Sequence, residues 1–230
     1  MKSLEQIAII IAATMGIGCQ SIENTLKDTK LTTTTTFASD YVGRPGFING
    51  SGPVNQTYLE VKKSFLSLGA WANTDLTDKK VHEVDGYLTG HISLIDGLDG
   101  FARFHYWSFP SRLLGDDQHA AEIGIGYSGK VSAKLTATHV NTEGLKFDRN
   151  SVDASAGFPI KNDEITIEPS VRSSYQNNYF GTHGFSHVTP GVSIGTTVSE
   201  VLITGFAEYQ YGLRNFDDNA RVGFTVGWKK

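Results

Sequence analysis

Cysteine, proline and basic charge are all scarce in this 230-residue sequence. The single cysteine, Cys19, excludes an internal disulfide framework and any CxxC pair for zinc binding or redox chemistry. Twenty basic and 24 acidic residues leave a net charge of −4, which argues against the basic surface that nucleic-acid binding requires. The abundant residues are 25 glycines and 25 aromatics (3 Trp, 9 Tyr, 13 Phe), a composition typical of a turn-rich all-β protein.

Long apolar runs are missing too, apart from one near the N-terminus. Residues 7–18 form a twelve-residue apolar segment after Lys2, too short to cross a hydrocarbon core of about 30 Å as a helix. This pattern predicts a secretory signal peptide over residues 1–18, followed by a periplasmic lead over residues 19–29. The small residues before Cys19 resemble a bacterial lipoprotein box, so Cys19 is a candidate lipid anchor. The alternative is ordinary signal cleavage, with Cys19 discarded or incidental.

Beyond the lead, apolar residues alternate with polar ones and do not recur at helical spacing for more than a turn or two. Ala121, Ile123 and Ile125 fall on one face of their segment, opposite Glu122. Residues 130–140 alternate in the same way. Because successive side chains of a strand point to opposite faces, each segment has one apolar and one polar face.

Clusters of Gly, Pro, Asn and Asp divide residues 30–230 into twelve such segments. Short connections between the segments alternate with generally longer ones, such as residues 41–55 and 177–185. This rhythm predicts an all-β fold: a closed antiparallel transmembrane β-barrel of about twelve strands in an up-and-down meander. The segments begin near Lys30, Gln56, Leu68, Val81, Gly100, Ala120, Lys130, Ser151, Glu164, Ser186, Glu200 and Ala220.

Ionisable residues recur on the polar face, nearly one per segment. In a barrel they line an aqueous lumen, whereas in a soluble β-sandwich the same residues would form a solvated outer face. We favour the barrel because closure removes unpaired strand edges, whose peptide groups cost several kcal/mol each in hydrocarbon. The candidate pore-lining residues are Glu60, Lys62, Glu83, Asp85, Arg103, Glu122, Lys134, Asp153, Glu168, Arg172, Glu208 and Arg221.

Three motifs near the N-terminus carry a family resemblance. Residues 39–44 are SDYVGR, residues 52–56 are GPVNQ, and residues 69–73 are GAWAN. This succession of a strand end, a Gly-containing loop and a G-x-W-x-N strand resembles the opening of the TorF-type porin family. The similarity covers residues 31–76, and the remainder matches only in its hairpin rhythm. The resemblance implies a porin in a Gram-negative outer membrane and supplies no catalytic residues.

The C-terminus has a pattern of its own. Arg221, Gly223, Val226 and Trp228 resemble the assembly signal of outer-membrane barrels, with Lys229 and the final lysine beyond it. We therefore expect the bacterial outer membrane as the location. The expected partners are its lipid bilayer, small solutes or ions, and the barrel-assembly machinery. We expect no nucleic acid, no metal and no cofactor.

Three other motifs contain residue types that could bind a cofactor or a metal, or act in catalysis. Residues 124–129 fit GxGxxG, but they open another strand and not the helix that a dinucleotide site needs. His183 and His187 are four residues apart in a predicted loop, where we favour solvated side chains over a metal site. His91 and Ser93 form a His-x-Ser pair on one strand face, as in some outer-membrane lipid hydrolases, although they share the polar, inward face.

Three functions therefore remain open. The leading one is a passive channel, because twelve strands lie between side-chain-filled barrels of eight strands and wide porins of sixteen or more. The second is a structural or interaction barrel whose charges pair across the lumen and leave no conducting path. The third is a lipid hydrolase that uses His91 and Ser93. We expect the first, a non-enzymatic channel for passive diffusion of small solutes.

Overall fold

The computed structural model describes residues 29–41, 52–110, 117–142, 149–162, 164–179, 182–213 and 216–229. All regular structure in these ranges is β-strand. No helix in the described part of the chain is long and apolar enough to cross a membrane. The predicted signal peptide, Cys19 and all but the last residue of the predicted lead lie outside the described residues.

The period-two segments form thirteen strands, of which one is only two residues long. They are β1 (Thr29–Ala38), β2 (Val54–Lys63), β3 (Leu66–Asp75), β4 (Val81–Ile95), β5 (Leu98–Ser108), β6 (Gln118–Ser128), β7 (Ser132–Thr142), β8 (Arg149–Gly157), β9 (Ile160–Lys161), β10 (Ile165–Tyr179), β11 (Thr182–Val198), β12 (Val201–Gly212) and β13 (Asn219–Lys229).

The strands close into a barrel. Each long strand pairs antiparallel with the next along the chain, and β1 pairs with β13 from Thr32 opposite Lys229 to Ala38 opposite Gly223. The two-residue β9 pairs only with β10, so the wall of the barrel consists of twelve strands. Closure leaves no free edge in the wall, and the predicted fold class is confirmed.

All twelve wall strands begin within four residues of their predicted positions. The loop predicted over residues 177–185 is wrong, because β10 runs to Tyr179 and β11 begins at Thr182. Its Asn and Gly residues serve as irregularities within a hairpin. Asn178 and Gly184 have φ of 59° and 103°, and the register shifts between Ser174 and Tyr175 and again between Asn177 and Tyr179.

The two faces of the wall differ as the alternation predicts. On the apolar face of β4 and β6, Leu88, Ile92 and Ile123 are between 47% and 64% exposed. On the opposite face of the same strands, Thr89 and Glu122 are each 1% exposed. The apolar face is thus the outer wall, and the polar face is the inner wall.

The two ends of the barrel also differ. Tight turns join β2 to β3, β4 to β5 and β11 to β12 at what we call the short-turn end. Ser64, Gly97 and Ser199 have positive φ there, the left-handed backbone that two-residue turns need. Residues 39–53, 109–117 and 213–218 connect strands at the opposite end, which we call the loop end.

Candidate functional site

The structure places all twelve predicted pore-lining side chains on the inner wall. Each lies on the face opposite the exposed apolar residues of its strand, as Glu208 and Arg221 do between the outward residues of β12 and β13. Glu83, Asp85 and Glu122 are buried, Lys134 is exposed, and the other eight are partly buried. That these residues line a conducting pore remains a prediction.

Contacts between strands that are not neighbours identify this wall as the concave one. Tyr58 on β2 and Tyr87 on β4 lie 6.0 Å apart, ring centroid to centroid, across Gly69 of β3. A Cβ at Gly69 would lie 3.0 Å from the Tyr87 ring. On β8, a Cβ at Gly157 would lie 2.7 Å from Ser132 and would also collide with Glu168, which accepts the Ser132 hydroxyl hydrogen bond. Because Gly69 and Gly157 have no side chain, side chains of the two flanking strands contact each other across these positions.

One charge cluster occupies the inner wall of β10, β12 and β13. Glu208 Oε1 accepts Arg172 Nη2 at 3.0 Å and Arg221 Nη1 at 3.2 Å. Arg221 also donates to the Asp40 carbonyl at 3.1 Å and to Gln56 Oε1 at 3.2 Å, and its guanidinium lies 5.0 Å from the centre of the Phe206 ring. A single carboxylate thus holds two arginines against the wall.

A second charge cluster lies on β4, β5 and β6. Arg103 Nη1 lies 3.8 Å from Glu122 Oε1, and His105 Nε2 lies 3.5 Å from Glu122 Oε2. Arg103 also donates to the Thr89 hydroxyl at 2.8 Å. Lys134, on the other strand next to β6, has its Nζ 4.9 Å from the centre of the Phe101 ring. Pairing with carboxylates therefore occupies Arg103, Arg172 and Arg221 among the predicted inward cations.

Burial of the inner wall changes along the barrel axis. Towards the loop end, inward side chains such as Asn73, Val140, Ser174, Gln176 and Gln210 are at most 2% exposed. Towards the short-turn end, inward Lys134, Ser155 and Ser170 are exposed, and Arg103 and Glu168 are partly exposed. Among the described residues, the inner wall is therefore most accessible towards the short-turn end of β7, β8 and β10, whereas Ser67 at that end of β3 is 1% exposed.

Tyr41 is buried against the inner wall at the loop end. Its hydroxyl donates to Glu83 Oε2 at 2.5 Å, and its ring lies 5.7 Å from that of Trp71. Burial, together with the negative charge of Glu83, raises the pKa of Tyr41 well above its ordinary value. The Tyr41 hydroxyl therefore stays protonated and serves as a fixed hydrogen-bond donor.

Among the described residues, one group of side chains has the residue types that bind metal ions. It consists of Asp75, Asp78 and His82, at the connection between β3 and β4. These side chains already have partners. Asp75 Oδ1 accepts the Thr77 and Asp78 amides, while Asp78 Oδ2 lies 3.0 Å from His82 Nε2 and 3.7 Å from Lys80 Nζ. The hydrogen bond with His82, followed by that from the Lys80 amide, lowers the pKa of Asp78. These contacts stabilise the turn between β3 and β4.

The His91–Ser93 pair is not formed. Ser93 Oγ donates to Asp99 Oδ1 at 2.8 Å, while His91 Nε2 lies 3.0 Å from Ser67 Oγ on β3. Ser67 is 1% exposed and also donates to Glu60 at 3.0 Å, so it offers no accessible nucleophile. The sequence does not predict the contact between His91 and Ser67, because it depends on strand register. The register pairs Ser67 with Thr89, and His91 is the next inward residue of β4 after Thr89.

The remaining motifs lie within strands. His183 and His187 are on β11, where their Nδ1 atoms lie 3.0 Å from Asn177 Oδ1 and 2.9 Å from Ser186 Oγ. The interpretation of both as solvated loop residues is wrong for His187, which is 5% exposed. Gly124 lies on β6, which is followed by β7, so the GxGxxG pattern opens a strand as expected.

Solved structures show where this fold occurs. No protein-family model matches the sequence, and no curated protein matches it. The NanC porin aligns at a TM-score of 0.55 with 10% identity over 86% of this chain and 97% of its own. An outer-membrane channel from Pseudomonas putida aligns at 0.55 with 9% identity over 88% and 95%. A KdgM porin in complex with disordered oligogalacturonate aligns at 0.54 with 8% identity over 87% and 97%. The chain therefore has the fold of a porin-like transmembrane barrel.

Proposed function

We propose that this chain is an outer-membrane channel through which small solutes diffuse passively. One observation carries the proposal: a closed twelve-strand barrel has a polar, charged inner wall and an apolar outer wall. An apolar outer wall is stable against lipid, and a polar inner wall is stable only when it is hydrated or internally paired. The similarity to porins of known structure agrees with this proposal.

The orientation of the barrel in the membrane follows from the lengths of the connections at its two ends. In outer-membrane barrels the short turns face the periplasm and the longer loops face outward. The short-turn end of this barrel would then open to the periplasm, and the buried inner wall at the loop end would form the constriction. Small solutes are the expected cargo because that end of the lumen is tightly packed.

Several further assignments belong to the same proposal. Within the porin-like fold we assign the chain to the TorF-type family, on the motifs around Ser39, Gly52 and Gly69. Export would depend on the signal peptide over residues 1–18, and insertion on the barrel-assembly machinery acting on the C-terminal strand. Lipid attachment at Cys19 is the remaining candidate modification.

A non-conducting barrel is the second candidate, and the loop-end burial favours it. Asn73, Gln176 and Gln210 towards the loop end are at most 2% exposed although they face the lumen, and Thr89 and Glu122, at the level of Arg103, are equally buried. If this packing persists in the membrane, no continuous water path crosses the barrel.

Planar-bilayer recording separates the two candidates. The complete, signal-processed protein would be refolded in detergent and added to a bilayer in about 1 M salt, where a narrow pore gives discrete current steps. Current steps support the channel. A barrel that migrates as the folded, heat-modifiable form on SDS gels yet gives no current steps contradicts it and supports the non-conducting barrel.

A further inference from the structure

Two cavities lie against the inner wall, the first towards the loop end, where Arg221 donates to the Asp40 carbonyl, and the second near the short-turn end. The first has a volume of about 360 Å³ and is lined by Thr36, Gln56, Ser170, Ser193, Phe206 and Thr225, with Glu208 and Arg221 at one side. The second has a volume of about 650 Å³ and is lined by Ser132, Thr166, Thr197 and Thr204 among others. Because Ser193 lines both, the two cavities form one path along β10, β11 and β12.

Hydroxyl groups dominate this path. The side-chain hydroxyls of Ser170, Ser193 and Thr204 make no hydrogen bond to any group of the described residues. A hydroxyl both donates and accepts, so an unoccupied one on an aqueous wall can exchange hydrogen bonds with a hydroxylated solute. Since it carries no charge, this exchange needs no desolvation of an ion.

The charges along the path are balanced or acidic. Arg221 is held by Glu208, Gln56 and the Asp40 carbonyl, and Glu208 also pairs with Arg172. Lys161 is the one cation that lines the second cavity, together with Glu164 and Glu168. The charged residues that line the two cavities carry a net negative charge, so the path disfavours anionic solutes, and uncharged solutes fit it better.

Phe206 adds an apolar surface to the polar path. Its ring lies over Gly223, where a Cβ would be 2.6 Å from the ring Cζ atom, and Arg221 holds it from one side. The ring remains partly exposed and lines the first cavity. A rigid aromatic ring beside hydroxyl groups matches a solute that has both an apolar C–H face and several hydroxyls.

We infer that this path is a binding track for neutral saccharides, with its tightest subsite in the cavity between Phe206, Ser170 and Ser193. The inference deepens the channel function proposed above and rests on it, because it names the solute class that the lumen accommodates. A neutral sugar ring packs its C–H face on Phe206 and exchanges hydrogen bonds with the two serines.

Saturation-transfer NMR tests the track without requiring conduction. The refolded barrel, in a phosphocholine detergent that lacks a sugar headgroup, would be titrated with maltotriose. We expect transfer to the sugar protons in the wild type and an affinity about tenfold weaker in Ser170→Ala/Ser193→Ala, because the variant loses the hydrogen bonds of both serines to the sugar. The matched control, Thr35→Val, removes a hydroxyl from the outer wall and should leave the affinity unchanged.

Three results would overturn the track. They are no transfer in the wild type, equal weakening by Thr35→Val and by the double serine variant, or tighter binding of trigalacturonate than of maltotriose. The bilayer recording reports separately on the channel. Maltotriose binding by a barrel that gives no current steps would support the track and contradict the channel, and current steps without maltotriose binding would do the reverse.

Discussion

Individual side chains of the inner wall are held mainly by hydrogen bonds and ion pairs. The described apolar clusters are small, one around Trp107 and Val140 and another around Tyr41 and Val54. Between these clusters, polar side chains contact each other across glycine positions and between neighbouring strands. Glu208 is central because it is the one carboxylate that pairs with two arginines among the described residues.

Replacing Glu208 should therefore destabilise the barrel. In Glu208→Gln the guanidinium of Arg221, whose side chain is 12% exposed, loses its charged partner, and we expect the free energy of unfolding to fall by about 1–3 kcal/mol. Urea unfolding of the barrel in lipid vesicles, followed by tryptophan fluorescence, measures the change. Glu164→Gln, at an exposed turn, is the control and should change the free energy of unfolding little. Equal midpoints for both variants would show that the Glu208 pairs contribute nothing.

Strand-level properties depend on which face a residue occupies and on how closely the neighbouring strands approach. Gly223 of β13 lies between Phe206 of β12 and Ala38 of β1. Gly205 of β12 has no atom within 4 Å of where a Cβ would stand. The same substitution thus meets a crowded position on one strand and an open one on the next.

Gly223→Ala should impair folding, and Gly205→Ala should not. A Cβ at Gly223 would collide with the Phe37 backbone carbonyl and lie 2.6 Å from the Phe206 ring, an overpacking that costs about 1–3 kcal/mol. The fraction of heat-modifiable barrel on unboiled SDS gels after refolding measures the effect. Matching yields for the two variants would mean that β1 and β12 adjust freely around β13.

Arginine substitutions on β13 test the two faces directly. Val226 is 41% exposed on the outer wall, whereas the Thr225 hydroxyl lies 2.7 Å from that of Thr36 on the inner wall. Arginine facing lipid near the bilayer midplane costs about 2–4 kcal/mol, whereas arginine in the lumen loses mainly one hydrogen bond. We expect Val226→Arg to refold in liposomes with a much lower yield than Thr225→Arg. The reverse order would contradict the assignment of faces on this strand.

For the whole molecule, the balance of inward charge is expected to set ion preference. Among the predicted inward cations, Arg103, Arg172 and Arg221 pair with Glu122 or Glu208. The predicted inward set holds seven carboxylates against five cations. Carboxylates on a low-dielectric wall concentrate cations, so a conducting barrel should be cation-selective.

Neutralising two accessible carboxylates should shift this preference. Asp153 and Glu168 are both partly exposed on the inner wall, so Asp153→Asn/Glu168→Gln should move the reversal potential in a salt gradient towards that of an anion-preferring pore. Asp96→Asn, at the exposed turn between β4 and β5, serves as the control. An unchanged reversal potential in the double variant would mean that the loop-end constriction, with Glu83 and Asp85, sets selectivity alone.

The number of wall strands, their starts to within four residues and the inward face of the twelve ionisable side chains were determined by the sequence alone. Period-two alternation is local, and a one-residue slip would turn every apolar side chain of a strand into the lumen. Only the tertiary structure decided what those side chains meet. His91 contacts Ser67 instead of Ser93, Arg172 reaches Glu208 across Gly191, and hydroxyls of β10, β11 and β12 share one path. Such contacts depend on register, barrel curvature and the placement of bulges, which join residues far apart in the chain and leave no periodic signal within any one strand.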